Sequence, residues 1–158
     1  MILASTSPIR RAMLGAAGVE VQAVPPEVDE AALKGAADAK SIARLLAEAK
    51  ALAVSERRGG DWVIGSDSVV TVGGRTFDKP AGREEAAEHL RFFSGKPMVL
   101  TSAVALARSG AVDWSVSDSA TLHLRILSDA FIDAYLAAES PEVGYCVGVF
   151  RMEGRGVQ

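Results

Sequence analysis

Ile2-Leu3-Ala4-Ser5-Thr6-Ser7-Pro8-Ile9-Arg10-Arg11 carries the chain from a short apolar run, through three hydroxyl residues, into a proline-led helix. Proline's fixed φ and missing N–H suit a first helical position, so Pro8 reads as N1 and Ser7 as the N-cap. Arg10 then stands third in the helix, where a capping box would place Glu or Gln and where the helix dipole disfavours cations. An anion resolves that conflict, because unpaired N–H groups, hydroxyls and two arginines at a helix start suit phosphate. The same residues also describe an ordinary strand-to-helix connection with solvated arginines.

Working outward, Ile9, Met13, Leu14 and Ala17 give this helix one apolar face, and Gly18 stops it. Glu20 to Val24 alternates as a strand ended by Pro25-Pro26, and an acidic loop, Glu27-Val28-Asp29-Glu30, follows. From Asp38 to Arg57 the residues Ile42, Leu45, Leu46, Ala49, Leu52 and Ala53 form one helical stripe. Lys50 falls beside that stripe, where a lysine ordinarily snorkels to the surface.

Trp62-Val63-Ile64-Gly65 reads as a buried strand ending at Ser66-Asp67-Ser68, and Val69 to Val72 resumes a strand that turns at Gly73-Gly74. A carboxylate between two such apolar runs is costly to bury unless it is paired or binds a metal, which singles out Asp67. A turn-forming Asp at a strand kink is the other reading. Asp78-Lys79-Pro80 breaks the chain and holds Lys79 extended, either aiming it or merely linking two elements. Arg83 to Ser94 reads as a helix stopped by Gly95. Val99 to Ala107 and Val112 to Ile126 form an antiparallel pair across Ser109-Gly110, and Ser128 or Asp129 caps a last helix bearing Phe131, Ile132, Tyr135 and Leu136. The end, from Gly144 to Gly156, is punctuated by glycines, as in a backbone that approaches a ligand closely or in a plain glycine-rich loop.

With 158 residues, 49% hydrophobic and 23% charged, the chain can bury a real core. A net charge of −3 argues against a general nucleic-acid or membrane-surface binder, so any basic site is local. The single cysteine, Cys146, excludes an intrachain disulfide framework and fits a reducing cytoplasm. No apolar run reaches the length of a membrane span. His89 and His123 lie far apart without metal-ligand spacing and take no catalytic role here.

An anion-binding helix start, carboxylates at Glu30 and Asp67, lysines at Lys50 and Lys79 and a glycine-rich terminal loop are the parts that phosphoanhydride hydrolysis needs. Sugar-phosphate or phosphomonoester chemistry could use the same inventory. The pieces LASTSPIRRAML, PPEVDE, LAEAKA, IGSDSVV, DKP and YCVGVFRMEGRG, in this order, make the sequence resemble the Maf-like nucleotide pyrophosphatase family.

The resemblance implies an α/β fold with a mixed β-sheet and flanking helices, elongated around a central cleft as in inosine triphosphatase-like proteins. It also implies a cytoplasmic enzyme that cleaves a nucleoside triphosphate between its α and β phosphates with Mg²⁺ or Mn²⁺. On that pattern Asp67 accepts the proton of the attacking water and Glu30 helps Asp67 hold metal. Ser7 with Arg10 binds phosphates, and Lys50 and Lys79 neutralise triphosphate charge. Ile9, Ser68 and Glu153 match positions that separate a dTTP and UTP branch, which has Arg, Thr and Gln there, from a 7-methyl-GTP branch. Apolar Ile9 and the carboxylate of Glu153 resemble the second branch, since a carboxylate accepts from a guanine N1–H and 2-amino edge and suits a cationic methylated base. That branch carries an aromatic at the Ile9 position and a glutamine at Ser68, so the chain departs from it at both. The expectation is a 7-methyl-GTP pyrophosphatase; a dTTP/UTP pyrophosphatase and a non-catalytic nucleotide-binding division regulator are the alternatives. Residues 1–158 are expected to form one Maf-like domain lacking the family's C-terminal segment, with a nucleoside triphosphate as partner, no nucleic acid or membrane, and a homodimer left open.

Overall fold

The computed structural model describes residues 1–33 and 38–156. In order, the elements are β1 (Ile2–Ala4), α1 (Pro8–Ala16), β2 (Gln22–Val24), α2 (Glu30–Leu33), α3 (Ala39–Ser55), β3 (Val63–Val72), β4 (Arg75–Phe77), α4 (Arg83–Phe93), β5 (Pro97–Arg108), β6 (Ala111–His123) and α5 (Asp129–Glu139). A 3-10 turn over Glu142–Tyr145 follows α5. The strands form one six-stranded sheet in the order β2-β1-β3-β5-β6, with β4 added to β3. β1 pairs parallel with both β2 and β3, whereas β3 and β4 are antiparallel. The fold is therefore mixed α/β with flanking helices.

Local chemistry explains most boundaries. Asp38 caps α3 by accepting from the N–H groups of Lys40 and Ser41, and Ser128 caps α5 by accepting from Phe131. Gly18, with φ of 76°, ends α1 in a conformation that suits glycine. Ser109 and Gly110 both take positive φ, the geometry of a two-residue hairpin turn that joins β5 to β6.

The chain forms two compact units, Met1–Ser68 with Thr101–Asp118 and Val69–Leu100 with Ser119–Gln158. In the first, Ile2, Ala4, Val54 and Val63 pack together. In the second, Val70, Val72, Phe77, Phe93 and Met98 pack together, and α4 packs on α5 through Leu90, Ile132, Tyr135 and Leu136.

Four expectations change. Asp67 does not sit at a kink, because β3 runs unbroken from Val63 to Val72 through Ser66-Asp67-Ser68. α1 buries none of its residues, so its apolar stripe is not a core face, and Met13 is 66% exposed. The acidic loop is partly helical, since Asp29 accepts from Ala32 N–H and starts α2. Most consequential, the buried face of α3 is Ile42, Ala43, Leu46, Ala47, Lys50, Ala51, Val54 and Ser55, while Leu45 is 44% exposed. Alanines at 43, 47 and 51 define that face, and sequence hydrophobicity gives them too little weight against Leu45 and Leu52.

Gly65 shows why small residues won. A Cβ on Gly65 would stand 2.1 Å from the Ala47 carbonyl oxygen and 2.6 Å from the Ala51 nitrogen. Both neighbours are backbone atoms and cannot rotate away. Gly65→Ala is therefore expected to lower unfolding stability by about 3 kcal/mol, read by urea denaturation, through forced separation of α3 from β3.

Candidate active site

The register Ile2↔Val63, Leu3↔Ile64, Ala4↔Gly65 sets β1 and β3 side by side, and β1 then leaves the sheet while β3 continues. Asp67 lies two residues past Gly65, just beyond the carboxyl end of β1, the edge where open α/β sheets bind ligands. The segment leaving β1 is Ser5-Thr6-Ser7. Buried Ser5 accepts from the Ser7 N–H at 3.1 Å and from Arg10 Nη1 at 3.5 Å, and the Ser7 hydroxyl accepts from the Arg10 N–H at 3.4 Å. Ser7 is thus the N-cap that the sequence implies, and Ser5 orients the Arg10 side chain. Burial pulls the Arg10 guanidinium below its usual pKa, and the charges of Asp67 and Glu30 offset part of that. It remains a cation.

Lys50 completes the cluster. Its position within the buried face of α3 leaves it only 6% exposed, and its Nζ donates to Asp67 Oδ1 at 2.6 Å and reaches Glu30 Oε1 at 2.8 Å. Asp67 is also buried, whereas the Glu30 side chain is 44% exposed at the start of α2. Burying either charge alone would cost several kcal/mol, so each depends on the other. Two carboxylates and two cations thus converge where β1 ends and α1 begins.

Ser7, Arg10, Glu30, Lys50 and Asp67 belong to the first unit. Ser68 does too, but strand alternation turns it to the opposite face from Asp67, where its hydroxyl lies 3.0 Å from that of Ser102. Ile9 is half-buried on α1. Lys79 and Glu153 belong to the second unit, and both are exposed. They act on one group there: burial raises the Cys146 thiol pKa first, Glu153 adds to the rise, and Arg151 and Lys79 oppose it. Ser102, Tyr135, Glu139 and Arg151 have polar contacts that sequence reading passed over. Glu139 had a visible signal, because it continues the apolar spacing of Ile132, Tyr135 and Leu136 with a carboxylate.

A divalent cation fits the donor chemistry of the first cluster. Glu30 and Asp67 supply hard oxygen ligands that already share one cationic neighbour, the kind of pair that Mg²⁺ or Mn²⁺ supplements with phosphate oxygens and water. No group of three or more His, Cys, Asp or Glu able to hold a metal occurs among the described residues. Nor, among these residues, is any helix long and apolar enough to cross a membrane.

The mutual dependence of Lys50 and Asp67 is measurable. Lys50→Met leaves the buried Asp67 carboxylate without its partner and should cost about 3 kcal/mol of unfolding stability, much of which returns when Asp67→Asn is added. Urea denaturation of the two single variants and the double variant reads this; purely additive losses would show that the pair is not coupled.

Residues 1–158 match the family described as Maf-like protein. A 7-methyl-GTP pyrophosphatase of Mesorhizobium japonicum is 42% identical, with 100% of this chain and 82% of that protein aligned. A nucleoside triphosphate pyrophosphatase of Nitrobacter hamburgensis is also 42% identical, over 99% of this chain and 79% of that protein. Among solved structures, a HAM1 protein from Coxiella burnetii superposes with a TM-score of 0.48 at 17% identity, covering 76% of this chain and 68% of that one. With its whole length matched and relatives above two-fifths identity, the chain belongs to the Maf-like protein family.

Proposed function

We propose that the chain hydrolyses a nucleoside triphosphate between its α and β phosphates, releasing a nucleoside monophosphate and pyrophosphate, with 7-methyl-GTP preferred. The observation that carries this reading is buried Asp67 held by Lys50, in the same cluster as Arg10 at the start of α1. A phosphate-binding module needs the arginine and the helix start but has no use for a buried carboxylate, whereas hydrolysis needs a proton acceptor. The names of the two relatives support the same activity.

Each group then has a task. The hydroxyl of Ser7, the first-turn N–H groups of α1 and the Arg10 guanidinium bind phosphate oxygens. Lys50 is shared between Glu30 and Asp67, so one lone pair of Asp67 is occupied at rest. A polyanionic substrate competes for that ammonium. As Lys50 turns to phosphate, Oδ1 is released to take a proton from the attacking water while the α–β bridging oxygen departs with one product. Glu30 and Asp67 would hold Mg²⁺ or Mn²⁺, which when bound supplies charge neutralisation and polarises phosphoryl oxygens. By family resemblance, Lys79 is assigned to charge neutralisation and Ile9, Ser68 and Glu153 to the choice of base.

Pyrophosphate release across 7-methyl-GTP, GTP, dTTP and UTP tests the proposal. Turnover should be fastest with 7-methyl-GTP, vanish with chelator and return with Mg²⁺ or Mn²⁺. Asp67→Asn should lower kcat by about 10²–10⁴-fold with little change in KM. Tight nucleotide binding without pyrophosphate release would instead identify a non-catalytic binder, and a preference for dTTP or UTP would overturn the base assignment.

A further inference from the structure

Helix α5 carries one carboxylate where its spacing calls for an apolar residue. Ile132, Tyr135, Leu136 and Glu139 share one buried face, and Glu139 is only 6% exposed. Both of its oxygens serve the terminal segment: Oε2 accepts from Arg151 Nη1 and Oε1 from the Arg155 backbone N–H, each at 2.9 Å. One turn earlier, the Tyr135 hydroxyl donates to the Val149 carbonyl at 3.3 Å and accepts from the Arg151 N–H at 3.2 Å. Gly154 lies so close that a Cβ there would stand 2.3 Å from Glu139 Oε2. Residues 149–155 are therefore fastened to α5 through both backbone and side chains.

Arg151 passes this order on. While Nη1 is held by buried Glu139, Nε lies 3.3 Å from Oε1 of Glu153, whose side chain is half-exposed. One planar guanidinium thus links a fixed carboxylate to a solvent-facing one and restricts the rotamers of the latter. Without that link, ordering the Glu153 side chain would be charged against ligand binding.

We propose that Glu139 is a positioning residue for base selection: through Arg151 and the close contact at Gly154, it sets the orientation in which the Glu153 carboxylate meets the base. This rests on the reading of Glu153 as a base-selecting residue. Glu139 itself touches neither substrate nor reacting atoms.

The test measures kcat and KM for 7-methyl-GTP, GTP and UTP in the wild type, Glu139→Gln, Arg151→Lys, Glu153→Gln and the Glu139→Gln/Glu153→Gln double variant. If the wild type releases no pyrophosphate, the same panel is read as Kd by calorimetry. Glu153→Gln should compress the preference among the three nucleotides. Glu139→Gln should raise KM for 7-methyl-GTP about tenfold, hold kcat within about threefold and leave UTP unaffected. The double variant should be no worse than Glu153→Gln alone, because the two residues act in series. Arg151→Lys keeps the charge but lacks the planar fork that fixes Glu153 relative to Glu139, so it should reproduce the Glu139→Gln pattern and carries the test if that variant does not fold. Equal losses on all three nucleotides, or additive losses in the double variant, would overturn the proposal while leaving the base assignment standing. An unchanged preference in Glu153→Gln would overturn both.

Discussion

Backbone contact between Gly65 and the Ala47–Ala51 turn of α3 sets how far Lys50 stands from β3. Alanine at 43, 47 and 51 keeps the facing side of the helix shallow, and the missing Cβ at Gly65 lets the backbone of one element rest on the other. A flexible lysine anchored at that distance meets Asp67 with its ammonium while its methylenes remain in the core. Had larger side chains separated helix and strand, the ammonium would fall short and Asp67 would be left buried without its partner. The chemistry of the first cluster is in this sense a consequence of packing between very small residues.

The cluster is formally neutral, with Arg10 and Lys50 against Glu30 and Asp67. Neutrality makes burial tolerable but not favourable, since apolar residues of similar volume would often be at least as stable. The second unit shows the same economy of charge in another form, with Glu139 buried against Arg151 and the backbone of the terminal turns.

Features set by local chemistry were legible in the sequence: Ser7 and Ser128 as caps, Gly18 as a stop, Gly73-Gly74 and Ser109-Gly110 as turns. Asp67 was legible because a carboxylate amid valines and isoleucines has few explanations. The central position of Lys50 was not, since which face of α3 turns inward depends on Gly65, a residue of another element. The unbroken course of β3 through Ser66-Asp67-Ser68 was hidden for a related reason: polar residues read as an interruption unless their partners, Lys50 and Ser102, are known. The clasp between α5 and the terminal segment was half visible, as a glutamate on an apolar face, but its arginine lies on a segment with no periodicity to reveal it.

Strand order has a consequence for assembly of the chain. β1 is an interior strand flanked by β2 and β3, so its residues wait for partners of very different distance in sequence. Gln22 follows Ile2 closely, but Val63 arrives about sixty residues later, and loop closure over that span must precede any reward from the pairing. Asp67 and Lys50 can meet only once β3 has packed against α3. Until then both groups stay in water, so the cluster bears its desolvation only as helix and strand come together.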